Sequence, residues 1–434
     1  MQVMKWSALA LAVTAASTQL AFASAQSESN GIVEDSSFKI FNRALYMNRD
    51  FKHGATHESE ANEAKGERKG YREDFGLGIR LLFESGFTQG TVGVGVDAHS
   101  LSSIKLDTGA GRQGNGLFGV DSDGTAEDTQ SEVGGAIKFR VSNTVLKHGN
   151  MMLDTPVFST DDSRILPEVA TGTLLTSDEI SGLTLTAGRF TALSSQTAAG
   201  RDTVTSEDSD ENLHTLTSAN IFGANYAFTD DFSGALFFSD VEDHFKKTYL
   251  NLNYGQDLGN DQSFGLDFNF YRTTDDGKKF SGELDNRIWS IAPSYGFGGH
   301  KVTIAYQRSS GDTGYTYGID GGGAVYLNNS VQIGDYELQD EKSWQARYDL
   351  NMAEYGVPGL SFMTRYVTSD DIDGVRADGK EGKRHELNME SKYVIQEGAA
   401  KDLSFRVRHA VYRANFGRDL NDTRLIIEYP LDVL

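Results

Sequence analysis

Polar and apolar residues alternate with a period of two along much of this chain. In KDLSFRVRHAVYR, residues 401–413, Leu403, Phe405, Val407 and Val411 share one parity, while Ser404, Arg406, Arg408 and Tyr412 share the other. A strand gives this pattern because successive side chains point to opposite faces of a sheet. The same reading predicts strands at 38–48, 73–84, 90–100, 132–142, 145–153, 171–177, 182–191, 214–228, 232–241, 246–256, 263–273, 284–297, 300–309, 341–352, 359–368, 384–396, 402–413 and 423–433. The segments number eighteen, an even count, and each is about the length that crosses a bilayer as a tilted strand of ~10 residues.

The connections carry a second pattern. Short turns at 84–90, 142–144, 178–182, 229–231, 256–262, 297–300, 354–359 and 396–401 alternate with mostly longer polar connections, among them 49–72, 101–131, 154–170, 192–213, 310–340 and 369–383. One series of long and short links, with no internal repeat or Pro-rich linker, predicts an all-β transmembrane antiparallel barrel of about 18 strands. Its short turns would be periplasmic and its long loops extracellular. A secreted β-sandwich explains the alternation but not the series of loop lengths. The last strand, RLIIEYPLDVL, places Leu425, Ile427, Tyr429, Leu431 and Val433 on one parity, as a lipid-facing surface requires. The terminal Leu434 falls on the other.

Composition supports one closed sheet over several soluble domains. Among 434 residues there are 47 Gly, 18 Tyr and 25 Phe but only 5 Pro, and mean hydropathy is negative. The first residues carry Lys5, then an apolar run, then small residues at Ala21, Ala23 and Ala25, the three-part form of a secretory signal. Residues 1–25 are expected to be removed, leaving 26–434 as a single barrel domain. No later stretch approaches the ~20 apolar residues of a spanning helix. The absence of cysteine excludes a thiol site or disulfides, and the formal charge of −22 argues against nucleic acid as a partner.

Several long segments carry a family likeness. EKSWQARYDLNMAEYGVPGLSFMTRY (341–366), AKDLSFRVRHAVYRANF (400–416) and RLIIEYPLDVL (424–434) are joined by FNRALYMNRDF (41–51), PVFSTDDSRILPE (156–168), SGLTLTAGRFTALSSQ (181–196) and LDFNFYRTTDDGK (266–278). With these motifs the mature chain resembles the OprD family of outer-membrane carboxylate channels. The resemblance implies an eighteen-stranded, mostly monomeric barrel with a narrow eyelet and a row of inward basic residues that guides carboxylates. One branch of the family prefers basic amino acids and related peptides, another cyclic or aromatic carboxylates. The quoted motifs do not decide between them.

Parity nominates the wall residues. Arg406 and Arg408 oppose Phe405 and Val407; Arg347 opposes Trp344, Ala346 and Tyr348; Arg140 and Lys138 oppose Ile137, Phe139 and Val141. Arg43, Arg49, Arg80, Arg365, Arg384 and Arg424 also fall on lumen parity. An arginine fork stays charged and matches a carboxylate bidentately, so these ten arginines form the candidate solute path. Arg189 and Arg272 fail the test and are expected near the extracellular ends of their strands. In the family, the connection 154–170 folds inward to form the eyelet. Asp161, Asp162, Ser163 and Arg164 are its candidate constriction residues, with Arg164 facing solute and the two acids able to hold or oppose it. The plain alternatives are solvated ion pairs on the wall and an exposed turn.

Other apparent motifs carry little. GAGRQG (109–114) lacks a βαβ context, DSDGTAED (121–128) lacks the bidentate Glu of a calcium loop, and His53, His57 and Glu58 lie in a polar loop. No G-x-S-x-G elbow occurs, and no enzyme, cofactor or metal is expected. The expectation is a substrate-selective porin in the outer membrane of a Gram-negative bacterium, taking up small carboxylate-bearing solutes. A receptor or adhesin barrel acting through its loops is the alternative. Expected partners are these solutes, outer-membrane lipid and lipopolysaccharide, and the barrel-assembly machinery. The expected assembly is a monomer, with a weak trimer as the other possibility.

Overall fold

The computed structural model of the chain describes residues 24–56, 69–109, 111–121, 125–197, 205–207, 212–319 and 322–434. The strands are β1 (Ser37–Phe51), β2 (Tyr71–Glu84), β3 (Gly93–Asp107), β4 (Thr129–Val141), β5 (Thr144–Met151), β6 (Val169–Ile180), β7 (Leu183–Ser194), β8 (Thr205–Glu207), β9 (Leu213–Thr215) and β10 (Ala219–Ala227). They continue as β11 (Phe232–Val241), β12 (Phe245–Gly259), β13 (Gln262–Asp275), β14 (Asp285–Phe297), β15 (His300–Gly311), β16 (Lys342–Asn351), β17 (Leu360–Ile372), β18 (Gly382–Val394), β19 (Ser404–Ala414) and β20 (Leu420–Asp432). β8 and β9 pair only with each other, and the remaining eighteen form one antiparallel sheet. β1 pairs with β2 on one side and β20 on the other, so the sheet closes.

All eighteen predicted segments are present, but several ends move. The third strand runs seven residues past its predicted end at Ser100, to Asp107. The segment predicted at 214–228 shortens to β10, because Leu213–Thr215 is taken up by the small hairpin. The short turns are tight. Asn260 and Asp261, between β12 and β13, both take positive φ (53° and 58°), as a two-residue hairpin turn of type I′ requires. On the opposite rim two links, 242–244 and 415–419, are as short as turns, so the alternation of lengths is less regular than predicted. Of the signal segment, residues 1–23 lie outside the described residues.

The outer wall carries exposed Phe222, Phe238, Ile304, Trp344, Phe362, Phe405, Val407 and Leu425. This inverts the soluble arrangement because the surrounding medium is hydrocarbon. The interior also has an apolar core. Leu45 and Met47 lie on the lumen face of β1 and pack with Leu101, Leu117, Phe118, Ile165 and Leu166. Across the barrel Phe190, Phe237, Tyr249, Tyr271 and Ile288 pack with Val157, Phe158, Tyr315 and Leu327. An eighteen-stranded ring is wide enough for a water-filled channel; here the described residues of three connections, between β3 and β4, β5 and β6, and β15 and β16, fold into it and bury these side chains.

Two lumen-facing glycines allow the closest approach. A Cβ on Gly78 would stand 2.2 Å from the Ile165 carbonyl oxygen, and one on Gly76 would stand 2.6 Å from the Phe118 ring. A bare stretch of β2 wall is therefore the seat on which the inward loops rest.

Candidate functional site

The ten arginines named from parity all stand on the inner parity of their strands, but the structure sorts them into different environments. Seven lie on the consecutive wall formed by β16, β17, β19, β20 and β1, interrupted only by β18. Arg347 faces Arg365 across the β16–β17 ladder, and Arg408 faces Arg424 across β19–β20. Arg365 lies within Coulombic reach of Arg347 and Arg408, and Arg408 within reach of Arg406 and Arg424. Arg49 and Arg424 converge on Asp422, each at 2.8 Å. Arg43 completes the run, its Nε donating to Glu428 at 2.8 Å.

Carboxylates are interleaved with this row. Glu390 meets Arg406 at 2.7 Å and Arg408 at 3.3 Å, and Asp349 accepts from Arg347 at 2.8 and 2.7 Å. A guanidinium has five N–H donors, so one or two such contacts leave others available to a passing anion. Arg347 and Arg406 keep 38% and 33% of their side-chain surface, against 7% for Arg424. The row is thus most open at Arg347 and Arg406.

The row ends at the inward loop. Asp162 takes two hydrogen bonds from Arg80, at 2.9 and 2.5 Å, and one from Arg43 at 2.8 Å. Arg80 also donates to the Ile165 carbonyl at 3.1 Å, and Arg43 to the Arg164 carbonyl at 2.6 Å. Burial alone would raise the Asp162 carboxyl; the hydrogen bond and charge of Arg80, with the charge of Arg43, outweigh it and hold the group below its ordinary value. Asp162 therefore holds the wall arginines rather than Arg164. Asp161 instead accepts from the Ser163 amide and hydroxyl at 2.7 and 2.9 Å, which shapes the turn.

Arg164 is fixed by its Nε donating to the Asn115 carbonyl at 2.7 Å and its Nη1 to the Ser163 hydroxyl at 2.7 Å. Burial first, then the charges of Arg424 and Arg49, push its guanidinium down to about 10, which still leaves it cationic at neutral pH. The same proximity places Arg164 where the loop meets the arginine row.

Two of the ten lie apart from that row. Arg384, on β18, is 6% exposed and donates to Glu341 at 2.7 and 2.6 Å and to Glu337 at 3.0 Å, with its guanidinium over the Tyr336 ring. It anchors the 312–341 loop. Arg140 donates to Gln26 at 2.9 Å and lies over Phe87, beside the N-terminal segment. Nearby, Lys138 and Lys147 share Asp97. Arg189 and Arg272 are on the outer parity. Arg189 donates to Asn220 one step from the upper end of the β7–β10 ladder, and Arg272 pairs with Asp285 at the first residue of β14.

Sequence reasoning does not mark the 312–341 loop as a lumen element, yet it crosses the interior. The Asn329 amide donates to Gln307, the Gly334 amide to Glu386, and Gln332 to Asp422. The Ala324 amide donates to Ser159 at 2.7 Å, so this loop and the 152–168 loop meet. The signal lies in its Asn, Gln and Gly content, which also suits an exposed loop. Opposite β1 and β2 in the ring, β12 and β13 present a polar wall of asparagines gathered on one carboxylate. There Asn251, Asn253 and Asn269 donate to Asp267 at 2.8, 3.3 and 2.6 Å.

A closed eighteen-strand barrel with inward loops and an arginine row invites comparison with known channels. The family model for the outer membrane porin, OprD family, matches residues 30–433. The chain belongs to the OprD family of outer-membrane porins. It is 45% identical to Porin D of Pseudomonas aeruginosa over the full length of both chains. The crystal structure of Pseudomonas aeruginosa OprD superposes with a TM-score of 0.78 at 41% identity, covering 95% of this chain and 99% of that one. That of Pseudomonas aeruginosa OpdK with vanillate gives 0.80 at 32% identity, covering 93% and 100%. Membership places this porin in the Gram-negative outer membrane. Its relatives are channels rather than enzymes. Of the sequence motifs set aside, Ala110, Ser122–Gly124, His57 and Glu58 lie outside the described residues.

Proposed function

We propose that this porin passes small carboxylate-bearing solutes along the arginine row of β16–β1, with the 161–164 turn as the narrowest point of the path. The observation that carries this is the spacing of open guanidinium groups on neighbouring strands, each only partly neutralised by an interleaved carboxylate. Full neutralisation would leave no donor for a solute, and bare arginines would bind too tightly to release it. Conduction needs sites that are favourable yet weak enough to leave. The carboxylate would travel on Arg347, Arg406, Arg408 and Arg49 toward Arg164. The Asp267–asparagine wall across the lumen would receive a polar or cationic far end, such as the ammonium group of an amino acid. Vanillate, which accompanies OpdK in its crystal structure, is an aromatic carboxylate and in keeping with this chemical class.

The test is single-channel recording in planar bilayers with benzoate or arginine added, comparing wild type with an Arg406→Ala/Arg408→Ala variant. Solute-dependent interruptions of the current should be present in wild type and largely lost in the variant, while insertion is unchanged. Equal responses from the two proteins would remove the row from the path. Whichever solute acts more strongly separates amino acids from aromatic acids.

A further inference from the structure

A second concentration of positive charge lies on the outside of the barrel. Arg272, Arg287, Arg308 and Lys342 occupy four adjacent strands, β13 to β16, on the outward parity near the long-loop rim. Cross-strand register sets Arg272 directly against Arg287, and Arg308 directly against Lys342. Like charges opposite one another destabilise a sheet, so two such pairs side by side call for counter-charge. The protein supplies only part of it: Asp285 pairs with Arg272 and Asp371 with Lys342. Arg287 and Arg308 are exposed and have no ion pair or side-chain hydrogen bond among the described residues.

Against this strip runs a continuous outward aromatic row, whose Trp289 stands opposite Arg308 across the β14–β15 ladder. Phe268 and Trp289 lie 6.4 Å apart, Trp289 and Tyr306 5.4 Å, and Tyr306 and Trp344 4.6 Å. Such girdles mark the level where acyl chains give way to headgroups. The arginines therefore sit at headgroup height in the outer leaflet. Elsewhere on the rim the outward positions are mixed or acidic, as with Asp50 on β1 and Glu73 on β2.

We infer that the outer face of β13–β16 is a binding site for a phosphate-bearing lipid headgroup, with Arg287 and Arg308 as its phosphate ligands and the aromatic row seating the acyl chains. Guanidinium forks match phosphate oxygens bidentately, and a phosphate would relieve both repulsive pairs. The site is separate from the lumen and independent of the solute path.

Native mass spectrometry of the purified barrel in detergent tests it, with lipid A carrying both phosphates as one probe and the same lipid with its phosphates removed as the other. Wild type should retain the phosphorylated lipid in preference. Arg287→Ser/Arg308→Ser should retain it about tenfold less, a change worth ~1.4 kcal/mol, while a Lys383→Ser/Arg413→Ser control elsewhere on the rim should behave as wild type. Equal retention by wild type and the Arg287/Arg308 variant would overturn the site. If that variant does not assemble, the wild-type preference decides: equal retention of phosphorylated and dephosphorylated lipid overturns it too.

Discussion

Arg80 and Arg406 both stand on the inner face of a barrel strand, yet they are in opposite situations. Arg80 keeps 5% of its side-chain surface and gives its Nη donors to Asp162 and the Ile165 carbonyl; Arg406 keeps 33% and donates once, to Glu390. Arg384 resembles Arg80, and Arg347 resembles Arg406. The difference is whether an inward loop brings a carboxylate down onto the wall. Where it does, the arginine becomes an anchor that holds the loop against the wall. Where it does not, as at Arg347 and Arg406, the guanidinium stays partly open to the lumen.

The sharpest break in this comparison is at the anchor whose carboxylate is the more deeply buried, Glu341 at 0% against 47% for Asp162. Glu341→Ala leaves the Arg384 charge buried without its main partner, and breaking such a pair costs ~3–5 kcal/mol. Thermal unfolding of the purified barrel should shift downward accordingly, or the 312–341 loop should become protease-sensitive. An unchanged barrel with an unchanged loop would mean Arg384 is not an anchor.

Asp162→Ala acts on the other loop. It removes the three hydrogen bonds that tie the 161–164 turn to Arg80 and Arg43, and single-channel conductance should rise severalfold with greater current noise. Conductance equal to wild type would place the narrowest point elsewhere. The pH dependence has a definite sign: Asp162 titrates below its ordinary value of 3.8 in the folded barrel, so its tie is complete above that value and is lost as pH falls through the lower, folded one. Current noise should therefore appear only below about pH 3.8, and Asp162→Asn should show it at neutral pH.

The smallest effect is expected at an open member of the row. Arg347→Ala should leave unfolding unchanged and weaken carboxylate block by about tenfold, the loss of one charge-assisted hydrogen bond of ~1.5 kcal/mol. A large drop in stability instead would move Arg347 into the anchor class.

Much of the barrel is legible in the chain itself, because alternation is a local property. The parity of Phe405 and Arg406 follows from the backbone of one strand, and the same rule holds for all ten arginines. The ends of β3 and β10 are less legible, since pairing partners decide where a strand stops. The apolar side chains Leu45 and Met47 on the inner face of β1 also resist parity. They face inward because the loop bearing Ile165, more than a hundred residues away in the chain, packs against them.

The sequence by itself determined that the ten arginines face the lumen and that the aromatic side chains opposite them face lipid, together with the number of strands in the barrel. Each of these follows from the two-residue repeat of an extended backbone. Tertiary structure alone decided which arginines are free and which are anchors. That choice rests on carboxylates such as Asp162 and Glu341, carried on loops whose sequences contain no periodicity, and on the bare glycines of β2 that let one of those loops reach the wall.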